Sequence, residues 1–218
     1  MSRKIALWTI WAGFLVYVLF FAPPIHWQET LNLLIKILTF QWTSVNPVIL
    51  SLFALIGVCI AIYSCVLFFD GRMQKLPFYP FAIAALGTGV IGLIPYLALR
   101  EANQEFTGQK DSFLQLLDSR ITGLFLTLFT LGLLGFGIIF GDWGNYLQQF
   151  LGDRFINGMS LAFCLFCLLF PTVLGDDMAR RGYYSNSQLF WLIALVPLLG
   201  SLAYLCWRPP IKAVTSNQ

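Results

Sequence analysis

Six long stretches without a single charged residue set the limits on what this chain can fold into. They cover residues 5–22, 45–69, 78–99, 121–140, 156–174 and 189–207. Each is close to the roughly 20 apolar residues that cross the hydrocarbon core of a bilayer as a helix. A backbone inside lipid must satisfy its own hydrogen bonds, and these runs lack the alternation of barrel strands. The sequence therefore predicts an all-α, polytopic transmembrane helix bundle of about six spans.

Little of the chain is left over for anything outside such a bundle. Hydrophobic residues make up 58% of the 218 residues and charged residues only 11%, which lies outside the range of ordinary soluble domains. We therefore expect a single integral membrane domain over 1–218, connected by short loops. The 13 Lys and Arg residues are scattered, so we expect membrane lipids and other membrane proteins as partners, and no nucleic acid.

The segment 25–41 has a different pattern from the six runs. Its apolar residues recur at three- and four-residue spacings, as in Trp27, Leu31, Leu34, Leu38 and the following Trp42. Glu29 and Lys36 lie mostly elsewhere on the helical wheel. This periodicity predicts an amphipathic helix in the membrane interface. A seventh crossing is the alternative, but two charged residues in so short a run disfavour it.

Six spans would put both termini on one face of the membrane. That face would carry Arg3, Lys4, Arg72, Lys75, Arg154, Arg208 and Lys212, and the other face Lys36, Arg100, Lys110, Arg120, Arg180 and Arg181. Seven basic residues against six give no bias. The short basic N-terminal tail favours placing both termini in the cytoplasm or its organellar equivalent.

The charged residues collect in short clusters at the ends of the runs. Three clusters predict juxtamembrane ion pairs between near neighbours in sequence, namely Asp70 with Arg72, Arg100 with Glu101, and Asp118 with Arg120. Pairs of this kind neutralise each other and fix the depth of a span at the headgroup level.

The most charged cluster follows the fifth run and contains Asp176, Asp177, Arg180 and Arg181. We interpret it as a loop that neutralises itself through local pairs and serves as a structural or docking element. The alternative is a lipid-modifying enzyme, in which the two carboxylates bind Mg²⁺ and the arginines bind a phosphate. Enzymes of that class usually carry further acidic residues downstream, but no Asp or Glu follows Asp177.

Nothing else in the sequence indicates catalysis or a bound cofactor. The sequence has one histidine, His26, and a multi-histidine metal centre needs more than one. No catalytic, metal-binding or cofactor-binding residues are predicted. The runs carry no internal charge, so a carrier would handle a small neutral molecule or a lipid. Glycines such as Gly87, Gly89 and Gly92 favour close helix contacts, with a ligand groove as the alternative.

Three segments carry a resemblance to known proteins. They are residues 67–72 (LFFDGR), 94–101 (IPYLALRE) and 170–182 (FPTVLGDDMARRG). Through them, most of the chain resembles an uncharacterised family of multi-span membrane proteins from cyanobacteria and chloroplasts. This resemblance implies a thylakoid or plasma membrane of a photosynthetic organism. It also implies an accessory or assembly role for a photosynthetic membrane complex.

Overall fold

The computed structural model describes residues 2–183 and 186–211, and all regular secondary structure in those ranges is helical. The prediction of an all-α fold is confirmed. Four helical stretches are long and apolar enough to cross a membrane, namely Arg3–Phe21, Pro47–Arg72, Arg120–Phe140 and Arg154–Arg180. They correspond to the first, second, fourth and fifth of the predicted spans.

The helices of the described chain are, in order, α1 (Ser2–Val16, continued by a π-helical stretch at Tyr17–Phe21), α2 (Trp27–Leu38), α3 (Pro47–Arg72), α4 (Tyr79–Thr88), α5 (Val90–Leu99), α6 (Ser112–Asp118), α7 (Arg120–Phe140), α8 (Trp143–Gly152), α9 (Arg154–Leu169), α10 (Pro171–Arg180), α11 (Ser187–Ala194) and α12 (Leu199–Trp207). Several begin at side-chain caps that the sequence supplies. Asn46 accepts a hydrogen bond from the Val48 amide, and Asp153 accepts one from the Ile156 amide.

The predicted span at 78–99 is two helices folded against each other. The chain reverses at Gly89, whose φ of 62° lies in the left-handed region that glycine tolerates. The rings of Phe81 and Tyr96 lie 5.4 Å apart, whereas 15 residues of straight helix would separate them by about 22 Å. A Cβ on Gly92 would lie 2.6 Å from the carbonyl carbon of Ala84. Helices α4 and α5 therefore form a hairpin, here called hairpin one.

The predicted span at 189–207 is also broken. Leu198 has a φ of 64°, and a Cβ on Gly200 would collide with the carbonyl oxygen of Ile193. Phe190 lies beside Gly175 in α10, and the Tyr204 hydroxyl reaches Asp177 in the same helix. Helices α11 and α12 therefore enter and leave at one end of the bundle and form hairpin two. The arms of both hairpins contain eight to ten residues, so each is at most about 15 Å long.

The two ends of the bundle are built from different elements. One end, here called the terminal face, holds Arg3, the last turn of α3, the open ends of both hairpins, α6 and Arg208. The Arg3 guanidinium donates to the Arg100 carbonyl there, at 3.3 Å. The other end, the opposite face, holds α2 and α8. The Asn46 amide donates there to the Asp142 carbonyl, at 2.7 Å.

Helix α3 forms the centre of the core. Its residues Val66, Leu67 and Phe69 are fully buried. Helix α12 packs closely on α7 at Gly123, where a Cβ would lie 2.7 Å from the Leu205 carbonyl carbon. Helix α2 is separate from the long helices, as the segment 25–41 predicts, and only part of it is buried. Its place in the membrane interface stays a prediction.

Candidate functional site

The terminal face encloses a network of buried charged side chains. Four aspartates and four arginines belong to it, and none is more than 9% exposed. Two tyrosines and one lysine complete it. The members are Asp70, Tyr96, Arg100, Lys110, Asp118, Asp176, Asp177, Arg180, Arg181, Tyr204 and Arg208.

One half of the network is centred on Asp70 in the last turns of α3. Arg100 donates to both of its carboxylate oxygens, from Nε at 2.8 Å and from Nη2 at 2.7 Å. Arg180 Nη2 donates at 2.7 Å and the Tyr96 hydroxyl at 2.9 Å. Arg100 also donates to Asp176, at 2.5 Å. Because Tyr96 and Arg100 lie at the end of α5, this half attaches hairpin one to α3 and α10.

The other half is centred on Asp177 in α10. Its carboxylate accepts from Arg181 Nε at 2.8 Å, from the Tyr204 hydroxyl at 2.7 Å and from Arg208 Nη1 at 3.2 Å. Arg208 also donates to the Cys65 carbonyl of α3, at 3.1 Å. Since Tyr204 and Arg208 lie at the end of α12, this half attaches hairpin two to α10 and α3.

Helix α6 closes the network on its outer side. Asp118 accepts from Arg181 Nη1 at 2.7 Å and from Lys110 Nζ at 2.6 Å. Burial opposes ionisation of this carboxyl, but the two cations outweigh burial and hold the pKa of Asp118 below its ordinary value. Burial likewise opposes the charge of Arg100, but the hydrogen bonds that its guanidinium donates to Asp70 and Asp176 raise the pKa of this group. Both groups are therefore charged throughout the neutral range.

The interpretation of residues 175–182 as a loop is wrong, whereas part of the local pairing predicted within this segment is present. Helix α10 continues to Arg180, and Asp176, Asp177, Arg180 and Arg181 are all buried. Asp177 does pair locally, with Arg180 at 3.6 Å and with Arg181 at 2.8 Å, but the other partners come from distant parts of the chain. A helix end with two carboxylates and two guanidinium groups enters the interior here because hairpins and α6 supply the complementary charges.

The three predicted pairs between neighbouring residues are also wrong. Residues two apart on a helix point in different directions, so Asp70 turns inward to Arg100 while Arg72 turns outward to an exposed pair with Asp111. Asp118 pairs with Lys110 and Arg181 instead of Arg120. Among residues 2–183 and 186–211, Glu101 and Arg120 form no ion pair. The Glu101 backbone amide instead donates to the side-chain oxygen of Gln74, at 3.0 Å.

The geometry of the network favours a structural role over catalysis. Each of its four carboxylates already accepts hydrogen bonds from a guanidinium or ammonium group. The Mg²⁺ alternative requires Asp176 and Asp177 to share an open coordination point, but Asp176 faces Arg100 and Asp177 faces Arg181 and Arg208. With four aspartates against four arginines and Lys110, the network compensates all but one of its charges and connects five elements, namely α3, α5, α6, α10 and α12.

A second feature lies near the opposite face. A cavity of about 500 Å³ is lined by α1, α2, α3, α9 and the tip of hairpin one. Its walls are apolar apart from a few groups, among them Thr30 and Arg154. The glycines at positions 87 and 89, for which the sequence left a ligand groove as the alternative, line its inner end.

Sequence reasoning missed both hairpins and the distant partners of the network. The signals present were the turn-forming Gly87-Thr88-Gly89 in the middle of one run and Pro197 in the middle of another. Arg208, Tyr96 and Tyr204 gave no signal, because each looks like an ordinary residue at a span end. No family model, no curated protein and no solved structure matches this chain.

Proposed function

We propose that this chain is a non-catalytic, multi-pass integral membrane protein with four spans and two re-entrant hairpins. The observation that carries the proposal is the buried network, which uses the charged residues to hold both hairpins against α3 and α10. Each hairpin arm is at most about 15 Å long and the hydrocarbon core is about 30 Å thick. A hairpin therefore reaches the middle of the membrane and returns to the same face.

The distribution of basic residues supports an orientation with the terminal face in the cytoplasm or its organellar equivalent. Of the twelve Lys and Arg residues in the described chain, only Lys36 and Arg154 lie on the opposite face. The terminal face carries Arg3, Lys4, Arg72, Lys75, Arg100, Lys110, Arg120, Arg180, Arg181 and Arg208. Lys and Arg are enriched on the cytoplasmic side of membrane proteins.

The role we propose within the membrane is that of an accessory or assembly factor of a photosynthetic membrane complex. It rests on the resemblance carried by residues 67–72, 94–101 and 170–182. Helix α7 offers a surface for such a partner, since Phe125 and Phe129 are exposed and stack on each other with their rings 6.0 Å apart. Other membrane proteins and lipids are the partners, and the membrane is a thylakoid or plasma membrane.

Cysteine accessibility tests the topology. Single cysteines replace Lys75, Glu105 or Gln148 in a chain without its native cysteines, and a membrane-impermeant maleimide labels sealed vesicles from one side. Six spans would place residues 75 and 148 on one side of the membrane and residue 105 on the other. The proposed four-span arrangement places residues 75 and 105 on one side of the membrane and residue 148 on the other. Labelling of residues 75 and 105 from different sides would overturn the proposal.

Affinity isolation in mild detergent tests the role. We expect a defined membrane protein of the photosynthetic apparatus to co-purify in a fixed ratio. Recovery of the chain with lipid alone would contradict an assembly role. A Mg²⁺-dependent thermal shift that is lost in the double variant Asp176→Asn, Asp177→Asn, together with turnover of a phosphorylated lipid, would instead favour the lipid-modifying enzyme.

A further inference from the structure

The cavity near the opposite face runs inward from the surface of the bundle. Trp27 and Arg154 lie at its outer end, where α2 and the start of α9 meet. Its inner end is closed by the tip of hairpin one around Gly89. Gly57, in the middle of α3, is exposed although its neighbours Leu55 and Val58 are buried. The cavity is therefore open along one side, and in the proposed four-span arrangement, on which this inference rests, that opening lies at the depth of the lipid chains.

The polar groups of the cavity collect toward its outer end. Thr30 is only 8% exposed, and its hydroxyl oxygen lacks a hydrogen-bond partner within the described residues. A buried hydroxyl without a partner is costly, so this group is suited to a ligand atom. Arg154 uses Nε to donate to the Pro23 carbonyl, at 2.9 Å.

Arg154 also supplies a charge that the protein does not neutralise. Its guanidinium forms no salt bridge in the described part of the chain, whereas the neighbouring Asp153 contacts His26 at 3.4 Å and caps α9. A half-buried cation beside an apolar cavity matches a negatively charged headgroup followed by a hydrocarbon chain. The cavity volume lies within the range of roughly 300–1,000 Å³ that ligand sites occupy.

We propose that this cavity binds one anionic membrane lipid, with its headgroup at Arg154 and Thr30 and one hydrocarbon chain extending to the tip of hairpin one. The headgroup then lies at the opposite face and the chain end at the middle of the bilayer, which is the orientation of a lipid in that leaflet. This inference goes beyond the proposed accessory role and does not depend on the identity of any protein partner.

Native mass spectrometry of the delipidated full chain in detergent tests the inference, with dioleoyl phosphatidylglycerol and dioleoyl phosphatidylcholine as probes. We expect one tightly bound phosphatidylglycerol and an affinity roughly tenfold or more above that for phosphatidylcholine. Both headgroups offer a phosphate to Arg154, but the trimethylammonium group of phosphatidylcholine offsets the phosphate charge and repels the guanidinium. Arg154→Gln should remove this preference. Lys36→Gln, which changes the other basic residue of the opposite face, should keep it.

Filling the cavity is the second arm of the test. Gly57→Leu and Gly158→Leu place side chains in the cavity, where added Cβ atoms meet open space or only Val18 at 3.8 Å. We expect each to lower phosphatidylglycerol binding at least tenfold. Gly132→Leu on exposed α7 is the matched control, with nothing within 4 Å of its Cβ, and should bind as the parent does.

The proposal is overturned if both cavity-filling variants bind lipid as the parent does, because the lipid then sits elsewhere. Equal parental affinity for the two lipids would overturn the anionic headgroup. Two independent filling variants are used so that misfolding of one does not decide the result.

Discussion

Replacing Asp70 by Asn should destabilise the protein far more than its single lost charge suggests. Asp70 is completely buried and accepts hydrogen bonds from Arg100, Arg180 and Tyr96. Asparagine keeps the size of the side chain but leaves the two guanidinium groups short of compensating charge. Removing one partner of a buried ion pair costs about 3–5 kcal/mol.

The thiol of Cys65 is a local reporter of this loss. Cys65 is 1% exposed, and its backbone carbonyl accepts a hydrogen bond from Arg208 of the network. With the other four cysteines replaced by alanine, its labelling rate by N-ethylmaleimide in detergent measures how often the terminal face opens. A loss of about 3–5 kcal/mol corresponds to a rate increase of roughly two to three and a half orders of magnitude.

The matched control is Asp111→Asn. Asp111 forms an exposed pair with Arg72 and caps α6 at the Leu114 amide, and asparagine retains the cap. We expect its labelling rate to equal that of the parent. The double variant Asp70→Asn, Arg100→Gln should be less destabilised than the two single changes added together, because it removes an uncompensated charge. Equal rates for Asp70→Asn, Asp111→Asn and the parent would refute the structural role of the network.

Acidification should destabilise the purified protein, because the folded-state pKa of Asp118 lies below its ordinary value of about 3.9. The stabilisation by ionised Asp118 is complete above that value and is lost as the pH falls through the folded-state pKa. Thermal midpoints measured from about pH 6 to pH 3 should therefore drop less steeply in Asp118→Asn than in the parent protein. Gly92→Ala should lower the thermal midpoint, since its Cβ would meet the backbone of Ala84, whereas Gly87→Ala meets nothing within 4 Å and should not. Thr30→Val should raise the midpoint of lipid-free protein by removing a buried hydroxyl without a partner, and an unchanged or lower midpoint would contradict that reasoning.

The helical fold could be predicted from sequence, because a backbone surrounded by lipid has to satisfy its own hydrogen bonds and a long apolar run does so as a helix. Uncharged runs near 20 residues predict helices directly, and the bounds at 121–140 agree with α7 at both ends to within one residue. The separate helix within 25–41 was accessible for the same reason, since its apolar residues follow a helical period. These features depend on local sequence alone.

The sequence predicts many of the charged residues of the network but not their partners, because the pairing depends on tertiary structure. The sequence did identify Asp70, Arg100, Asp118 and the residues from Asp176 to Arg181 as the charged residues to consider. It paired them with near neighbours, and the structure pairs them mainly across 30 to 110 positions. Local charge patterns cannot reveal such partners, because two neighbouring residues of a helix face different surroundings.

The two hairpins explain why the basic residues looked evenly divided between the faces. Hydropathy averages over a run and does not record direction, so two ten-residue arms that meet at Gly89 look like one span of 20 residues. When the first hairpin is counted as one span, all residues after it are assigned to the other face of the membrane. Counting the second hairpin as a span reverses that assignment again. Arg3 and Arg208 lie on one face in both the six-span and the proposed four-span arrangement, but residues 100–181 lie on opposite faces in the two. The seven-to-six division then becomes ten basic residues against two in the described chain. The hairpins are defined by backbone geometry at Gly89 and Leu198, so the asymmetry of Lys and Arg independently supports the proposed four-span arrangement through their preference for the cytoplasmic side.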